Sequence, residues 1–296
     1  MRFTKAHGTG NDFVVLRDLE DRIDLPAELV RSLCDRRRGV GGDGVLRLGA
    51  PPADADVFMD YRNADGTAVE MCGNGVRVVA KHMVDHGLVP AEADVVRVAT
   101  RSGTKPVRVE RDERGLLRQA TVNMGAPVLD TERVPFLAQS GQEQAVEHEL
   151  VIDGALVRFA VASMGNPHAV LEVDDVGEAA VTTLGPRLEH HPSFPNKVNV
   201  GFAEVVAVDE IRLRVWERGV GETAACGTGA CAAVVALQRR GRVGETVAVR
   251  LPGGTLTIHH QPGGTVLLTG PAIEVAHGEL DEAWLTDAPS REGVTP

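Results

Sequence analysis

The chain has 296 residues, 43% of them hydrophobic and 25% charged, an ordinary globular composition with room for two domains of about 120 to 150 residues. A net charge of −11 without a long Lys/Arg block excludes nucleic acid and anionic membrane surfaces as partners. Four cysteines with no Cys-x-x-Cys pair argue against a disulfide framework and a structural zinc site, and the opening Met1-Arg2-Phe3-Thr4-Lys5 lacks an apolar export segment, so a cytoplasmic location is expected.

In chain order, β-branched runs between Gly, Pro and Asp turns predict strands over 12–17, 44–49, 55–62, 95–100, 105–110 and 117–123. The second half continues with strands over 148–153, 156–162, 168–173, 198–206, 211–217, 246–251, 255–259 and 264–269. Helices are predicted over 26–37, 74–86, 176–189 and 228–240, with Arg36-Arg37-Arg38 as the basic last turn of the first. Gly39-Val40-Gly41-Gly42-Asp43-Gly44 matches G-x-G-x-x-G but follows a helix and precedes a strand, the reverse of a dinucleotide site, so it reads as a glycine turn. Strands this closely spaced predict mainly antiparallel sheet, an α+β fold rather than a doubly wound one. The helix over 228–240 is apolar on every face and must be enclosed, so each half is expected to curl its sheet around one central helix.

Two segments carry the chemistry. Met71-Cys72-Gly73-Asn74-Gly75 and Ala225-Cys226-Gly227-Thr228-Gly229 repeat one pattern, a cysteine before a Gly-x-Gly turn that opens a helix, 154 residues apart. Gly87 and Gly241, which end the two helices, keep the same spacing, and Gly10-Asn11 and Gly165-Asn166 recur one residue off it. A helix N-terminus offers unpaired N–H groups and partial positive charge, which hold a carboxylate and stabilise a thiolate. Each half therefore reads as half of an anion site with a proton-transfer thiol attached. Cys34 and Cys231, in a helix and an apolar run, read as core.

The set His7-Gly8-Thr9-Gly10-Asn11-Asp12-Phe13, Asn63-Ala64-Asp65-Gly66, Cys72-Gly73-Asn74-Gly75, Gly165-Asn166-Pro167-His168, Asn199-Val200 and Glu217-Arg218-Gly219 before the second cysteine turn resembles the diaminopimelate epimerase family. The resemblance implies two pseudo-symmetric α/β domains with the active site in the cleft between them. Residues 1–118 plus 271–281 would form the first, 119–270 the second, and 282–296 a poorly ordered tail. It implies a cofactor-independent isomerase, without metal or pyridoxal phosphate, interconverting LL- and meso-diaminopimelate for lysine and peptidoglycan precursors. The small-molecule substrate would be its partner, with a homodimer as the assembly. Carried over by position, Cys72 and Cys226 are the acid and base, and Gly73, Asn74, Gly227 and Thr228 bind the reacting carboxylate through backbone N–H groups. Asn11, Asn63, Asn166, Asn199, Glu217 and Arg218 contact the amino groups and distal carboxylate, while His168 and Glu217 tune the cysteines. One departure is Gly44, where some family members place a substrate-touching glutamine.

Taken singly, Asn11 and Asn63 would be turn residues, His168 a core or surface histidine, and Glu217 and Arg218 a solvated strand end. Their repeat-related placement lifts them: Glu217 lies 154 residues after Asn63, and each precedes its cysteine by nine. Arg218 suits a distal carboxylate through its bidentate guanidinium. Inverting a carbon needs a proton removed on one face and returned on the other, which opposed thiolate and thiol can do. Reacting distances of about 3 to 3.5 Å would put the two sulfurs some 6 to 7 Å apart around bound substrate. The readings left beside this one are a proline- or hydroxyproline-type racemase on the same fold, which the Asn/Arg set argues against, and a thiol redox protein.

Overall fold

The computed structural model describes residues 1–138, 141–143 and 145–287. The chain divides into two compact units, Met1–Val122 with the segment from Gly270 onward, and Asn123–Thr269. The first contains β1 (Arg2–Gly8), β2 (Asn11–Arg17), α1 (Ala27–Cys34), β3 (Gly44–Gly49), β4 (Val57–Asn63), β5 (Ala68–Val69), α2 (Gly73–Asp85), β6 (Val95–Thr100), β7 (Gly103–Arg111) and most of β8 (Leu117–Asn123). The second contains β9 (His148–Ile152), β10 (Ala155–Ser163), β11 (Pro167–Glu172), α3 (Val181–Glu189), β12 (Asn199–Ala207), β13 (Glu210–Glu217), β14 (Gly221–Thr223), α4 (Gly227–Arg239), β15 (Thr246–Leu251), β16 (Gly254–His260) and β17 (Val266–Gly270). The chain then returns to the first unit with β18 (Ile273–Glu279) and α5 (Glu282–Asp287).

The two units share one strand plan. In the first, β18, β1, β2, β3, β4, β6, β7 and β8 are neighbours in that order, antiparallel except at β2–β3 and β4–β6, with β5 antiparallel to β4. In the second, β9, β10, β11, β12, β13, β15, β16 and β17 follow the same sequence of senses, with the parallel pairs at β11–β12 and β13–β15 and β14 beside β13. β18 thus fills beside β1 the place that β9 fills beside β10.

Each sheet wraps its own helix. α2 packs on β1, β3, β4, β6, β7 and β18, and α4 on β10, β11, β12, β13 and β16. From Gly229 to Leu237 every residue of α4 is buried, as an all-apolar helix requires. The third helical residue of each helix is where it meets its sheet. A Cβ on Gly75 would lie 3.2 Å from Leu46 of β3, and one on Gly229 3.2 Å from Val215 of β13. Glycine at those positions lets the first helical turn sit close to the strands.

Three expectations need correction. α1 stops at Cys34 rather than 37, because the Asp35 carboxylate accepts the Arg37 and Arg38 amides at 2.7 and 2.8 Å and draws the basic triplet into a turn. α3 begins at Val181 rather than 176, since the Val176 and Gly177 amides are taken by the Glu204 and Asp175 side chains. The tail expected to lack order opens with α5, whose Trp284 and Leu285 pack on the core formed by Leu29, Val30, Leu33 and neighbours while the Trp284 indole N–H donates to the Arg38 carbonyl at 3.1 Å. Residues 288–296 lie outside the described residues.

Candidate active site

Both cysteines of the repeated turn are helix N-caps with extended backbone, Cys72 of α2 and Cys226 of α4. In the first unit the Cys72 sulfur accepts the Gly75 amide at 3.5 Å and lies 3.9 Å from Asn11 Oδ1, which also accepts the Asn74 side chain at 3.3 Å. Asn11 is held from behind, its Nδ2 donating to Asp43 at 2.8 Å. Asp43 in turn pairs with Arg36, which also grips Asp12. Burial alone would raise the Asp12 pKa, but hydrogen bonds and charge from Arg36 and Lys5 outweigh it and hold the carboxyl below the ordinary range. Asn63 stays within its own turn, bonding Thr67 through backbone and side chain.

Arg77 fixes the Cys72 turn from within. It is fully buried and donates to the Gly73 carbonyl, Asn74 Oδ1, Thr9 Oγ1 and the Pro271 carbonyl at 2.9 to 3.3 Å. Sequence reasoning missed it, since an arginine on a helix reads as a solvated face. A signal existed in the repeat, where the residue 154 positions on is the core cysteine Cys231, also fully buried.

In the second unit the Cys226 thiol donates to Glu217 Oε2 at 3.2 Å and lies 3.5 Å from the Thr228 hydroxyl, while Glu217 Oε1 accepts from Thr223. The helix end was expected to favour a thiolate, yet the Cys226 pKa is raised well above the usual thiol value. Burial is the largest cause and the Glu217 charge the next, and the Thr228 hydroxyl and Gly229 amide do not offset them. Cys226 therefore holds its proton here.

Asn199 Nδ2 donates to the Pro167 carbonyl and its Oδ1 accepts the Arg218 amide at 2.9 Å. His168 sits opposite Asn199 in the β11–β12 register and bonds Asn166 Oδ1 at 3.0 Å, a partner other than a cysteine. The turn carrying Arg218 is anchored by Glu189, a buried carboxylate that accepts the Gly219 amide, the Trp216 indole and the Lys197 ammonium. Nothing in the local sequence marks Glu189 for that task. At the departure position, Gly44 lies opposite Asn63, and a Cβ there would stand 2.4 Å from the Arg62 carbonyl and 2.6 Å from the Tyr61 ring. The approach of β4 requires glycine, so no side chain reaches out from this point.

Burial pushes the His168 pKa down to about 3, aided by the Arg218 charge, and lowers those of His148 and His260 as well. Folded, His168 stays neutral and the other two take up a proton less readily than in the unfolded chain, where all three protonate as pH falls through about 6.5, so the unfolded state binds more protons and stability declines. The urea midpoint of the full chain is expected to be lower at about pH 5 than at about pH 7.5, a window in which ordinary carboxylates remain ionised. Equal midpoints would contradict the neutral, buried state of His168.

Comparison with known proteins agrees with the resemblance. The family model for diaminopimelate epimerase matches residues 3–129 and 160–275. A diaminopimelate epimerase of Halorhodospira halophila (strain DSM 244 / SL1) is 50% identical over 284 residues, covering 95% of this chain and 95% of that protein. One from Alkalilimnicola ehrlichii (strain ATCC BAA-1101 / DSM 17681 / MLHE-1) is 49% identical over 283 residues, covering 95% and 98%. Among solved structures, a probable proline racemase from Agrobacterium radiobacter K84 superposes with a TM-score of 0.71 at 18% identity, covering 97% of this chain and 95% of that one. A hydroxyproline epimerase from Agrobacterium vitis gives 0.68 at 18%, covering 94% and 91%, and at such identities the likeness concerns the fold alone. By the full-length relatives and the matching family model, this chain belongs to the diaminopimelate epimerase family.

Proposed function

We infer that the chain is a diaminopimelate epimerase, an isomerase that inverts one α-carbon of its substrate between the LL and meso forms by two-base proton transfer. The observation that carries the reading is the pair of N-capping cysteines, Cys72 and Cys226, at the same place in two halves of one strand plan. Each sulfur serves one face of the carbon. Cys226, which holds its proton against Glu217, suits the acid, and Cys72, whose sulfur accepts an amide N–H, suits the base; the reverse reaction exchanges the roles. The first-turn N–H groups of Gly73, Asn74, Gly227 and Thr228 hold the reacting carboxylate and stabilise the negative charge that flows into it. Asn11, Asn63, Asn166, Asn199, Glu217 and Arg218 hold the second amino-acid centre, and His168, kept neutral, orients Asn166.

The proline-type racemase reading draws on structural likeness at 18% identity, whereas full-length relatives at 45–50% identity are diaminopimelate epimerases. No helix among the described residues is long and apolar enough to cross a membrane. We take the enzyme to act in the cytoplasm, as a step toward lysine and peptidoglycan precursors, and as a homodimer; the exposed Ile273 and Val275 of β18 are apolar surface that such an assembly could cover. The purified protein, dialysed against chelator with no pyridoxal phosphate added, is expected to interconvert the LL and meso epimers at its full rate. Activity that returns only on adding metal or pyridoxal phosphate would refute the cofactor-free mechanism.

A further inference from the structure

At the far end of α2 from Cys72, three imidazoles surround one carboxylate. His82 Nδ1 lies 2.7 Å from Glu274 Oε1, His86 Nε2 lies 3.0 Å from Glu274 Oε2, and His277 Nε2 stands 3.6 Å from that same oxygen. His82 and His86 are four residues apart and so share one face at the end of α2, and Glu274 and His277 come from β18, which packs against that helix. This grouping has no part in the two-base reaction. His82 is ten residues from Cys72, about 15 Å along a helix.

We propose that His82, His86 and Glu274 bind a divalent first-row transition metal of the Zn²⁺ type, with His277 as the fourth donor. The donor atoms of the first three lie within 4.8 Å of one another. Zinc takes nitrogen and oxygen ligands at about 2.0 to 2.2 Å, so ligands around it stand some 3 to 4 Å apart, and the cluster needs adjustments of about an ångström to close on a cation. Two or three imidazoles with one carboxylate suit Zn²⁺, Co²⁺, Ni²⁺ or Cu²⁺ rather than Ca²⁺ or Mg²⁺, which prefer oxygen.

The His82 side chain is 5% exposed and turns Nδ1, not its buried Nε2, toward Glu274, so Nδ1 is its donor atom. One feature beyond the donor set favours a cation. His277 Nδ1 is bonded to the buried Thr4 hydroxyl at 3.0 Å, which leaves Nε2 turned toward the cluster, the arrangement in which an outer partner orients a metal-binding histidine. Bound there, the ion would tie the returning strand β18 to the end of α2. Its role is structural, consistent with chemistry that needs no metal.

The test uses the full chain with Cys72→Ser and Cys226→Ser, so that the paired thiols cannot supply a competing site. Zn²⁺ titrated into it by calorimetry is expected to bind at one ion per chain with a Kd in the micromolar range or below, and Co²⁺ to give visible ligand-field absorption without a sulfur charge-transfer band. His86→Ala and Glu274→Gln should each weaken binding more than about tenfold and abolish the Zn²⁺-dependent rise in Tm. His86 is 33% exposed, so that variant reports on binding even if Glu274→Gln fails to fold. No saturable binding up to about millimolar Zn²⁺, or binding unchanged in the His86 variant, would overturn the site.

Discussion

Replacing Cys72 or Cys226 by alanine is expected to lower kcat/KM for diaminopimelate by about 10²- to 10⁴-fold, the range for removing a positioned acid or base. Both losses should be of that order, because neither sulfur can reach both faces of the carbon. The fold should survive. Cys226 is buried, but alanine there removes only the sulfur, one heavy atom, and the Gly75 amide that Cys72 accepts lies in the first turn of α2, where an unmet N–H is usual and weakly costly. Circular dichroism and Tm of each variant check this beside the kinetics. A variant keeping more than a tenth of the wild-type value has lost under about 1.4 kcal/mol of transition-state stabilisation, too little for an essential acid or base.

Arg218→Ala should cost about 2 to 5 kcal/mol in transition-state binding, well over tenfold in kcat/KM, by stranding the distal carboxylate of the substrate. The size of the effect is diagnostic. Arg218 is exposed, its Nη1 bonded to the Asn196 carbonyl at 3.0 Å, and an ion pair in such a setting contributes about 1 kcal/mol at most. A larger loss therefore means that bound substrate shields the pair from water. Proline, alanine and lysine lack the distal carboxylate and should be turned over poorly by the wild type. Comparable kcat/KM on proline and diaminopimelate would assign the fold a different specificity.

What the sequence made legible follows from where its physics is local. The cysteine turns are readable because a cap and two glycines at a helix start fall within five residues, and duplication prints that pattern twice. The enclosed α4 is readable because nine successive buried positions leave no polar face. β1 escapes because its buried face consists of Thr4, Ala6 and Gly8, small or polar side chains that break no alternation rule and satisfy none. β18 escapes the residue pattern for the opposite reason, the family resemblance alone having placed 271–281 with the first domain: Ile273, Val275, Ala276 and His277 are all exposed, so it has no buried face to read and is a strand through its pairing with β1.

The chemistry of the site divides in the same way. Cys226 was placed by pattern, but its protonation was not, because the helix-end effect is local while the burial and the Glu217 charge that outweigh it depend on how the strands pack. Asp43 and Glu189 hold Asn11 and the Arg218 turn from elements distant in sequence, and Arg77, which reaches Gly73 and Asn74 within its own helix, is itself tied to the distant Thr9 and Pro271. Gly44 carries a steric demand set by Arg62 and Tyr61 of the neighbouring strand, which no inspection of residues 39–44 alone could supply.

The two-base claim is tested most directly by running the reaction in D₂O and stopping it early. A sulfur that donates to the product face carries a solvent-derived deuteron, whereas the proton removed from the substrate sits on the other sulfur. Mass and NMR analysis of both epimers should find deuterium at the α-carbon of newly formed product before any appears in the remaining substrate. Product that retains the substrate's own hydrogen, or deuterium entering both epimers at equal rates from the start, would contradict the account.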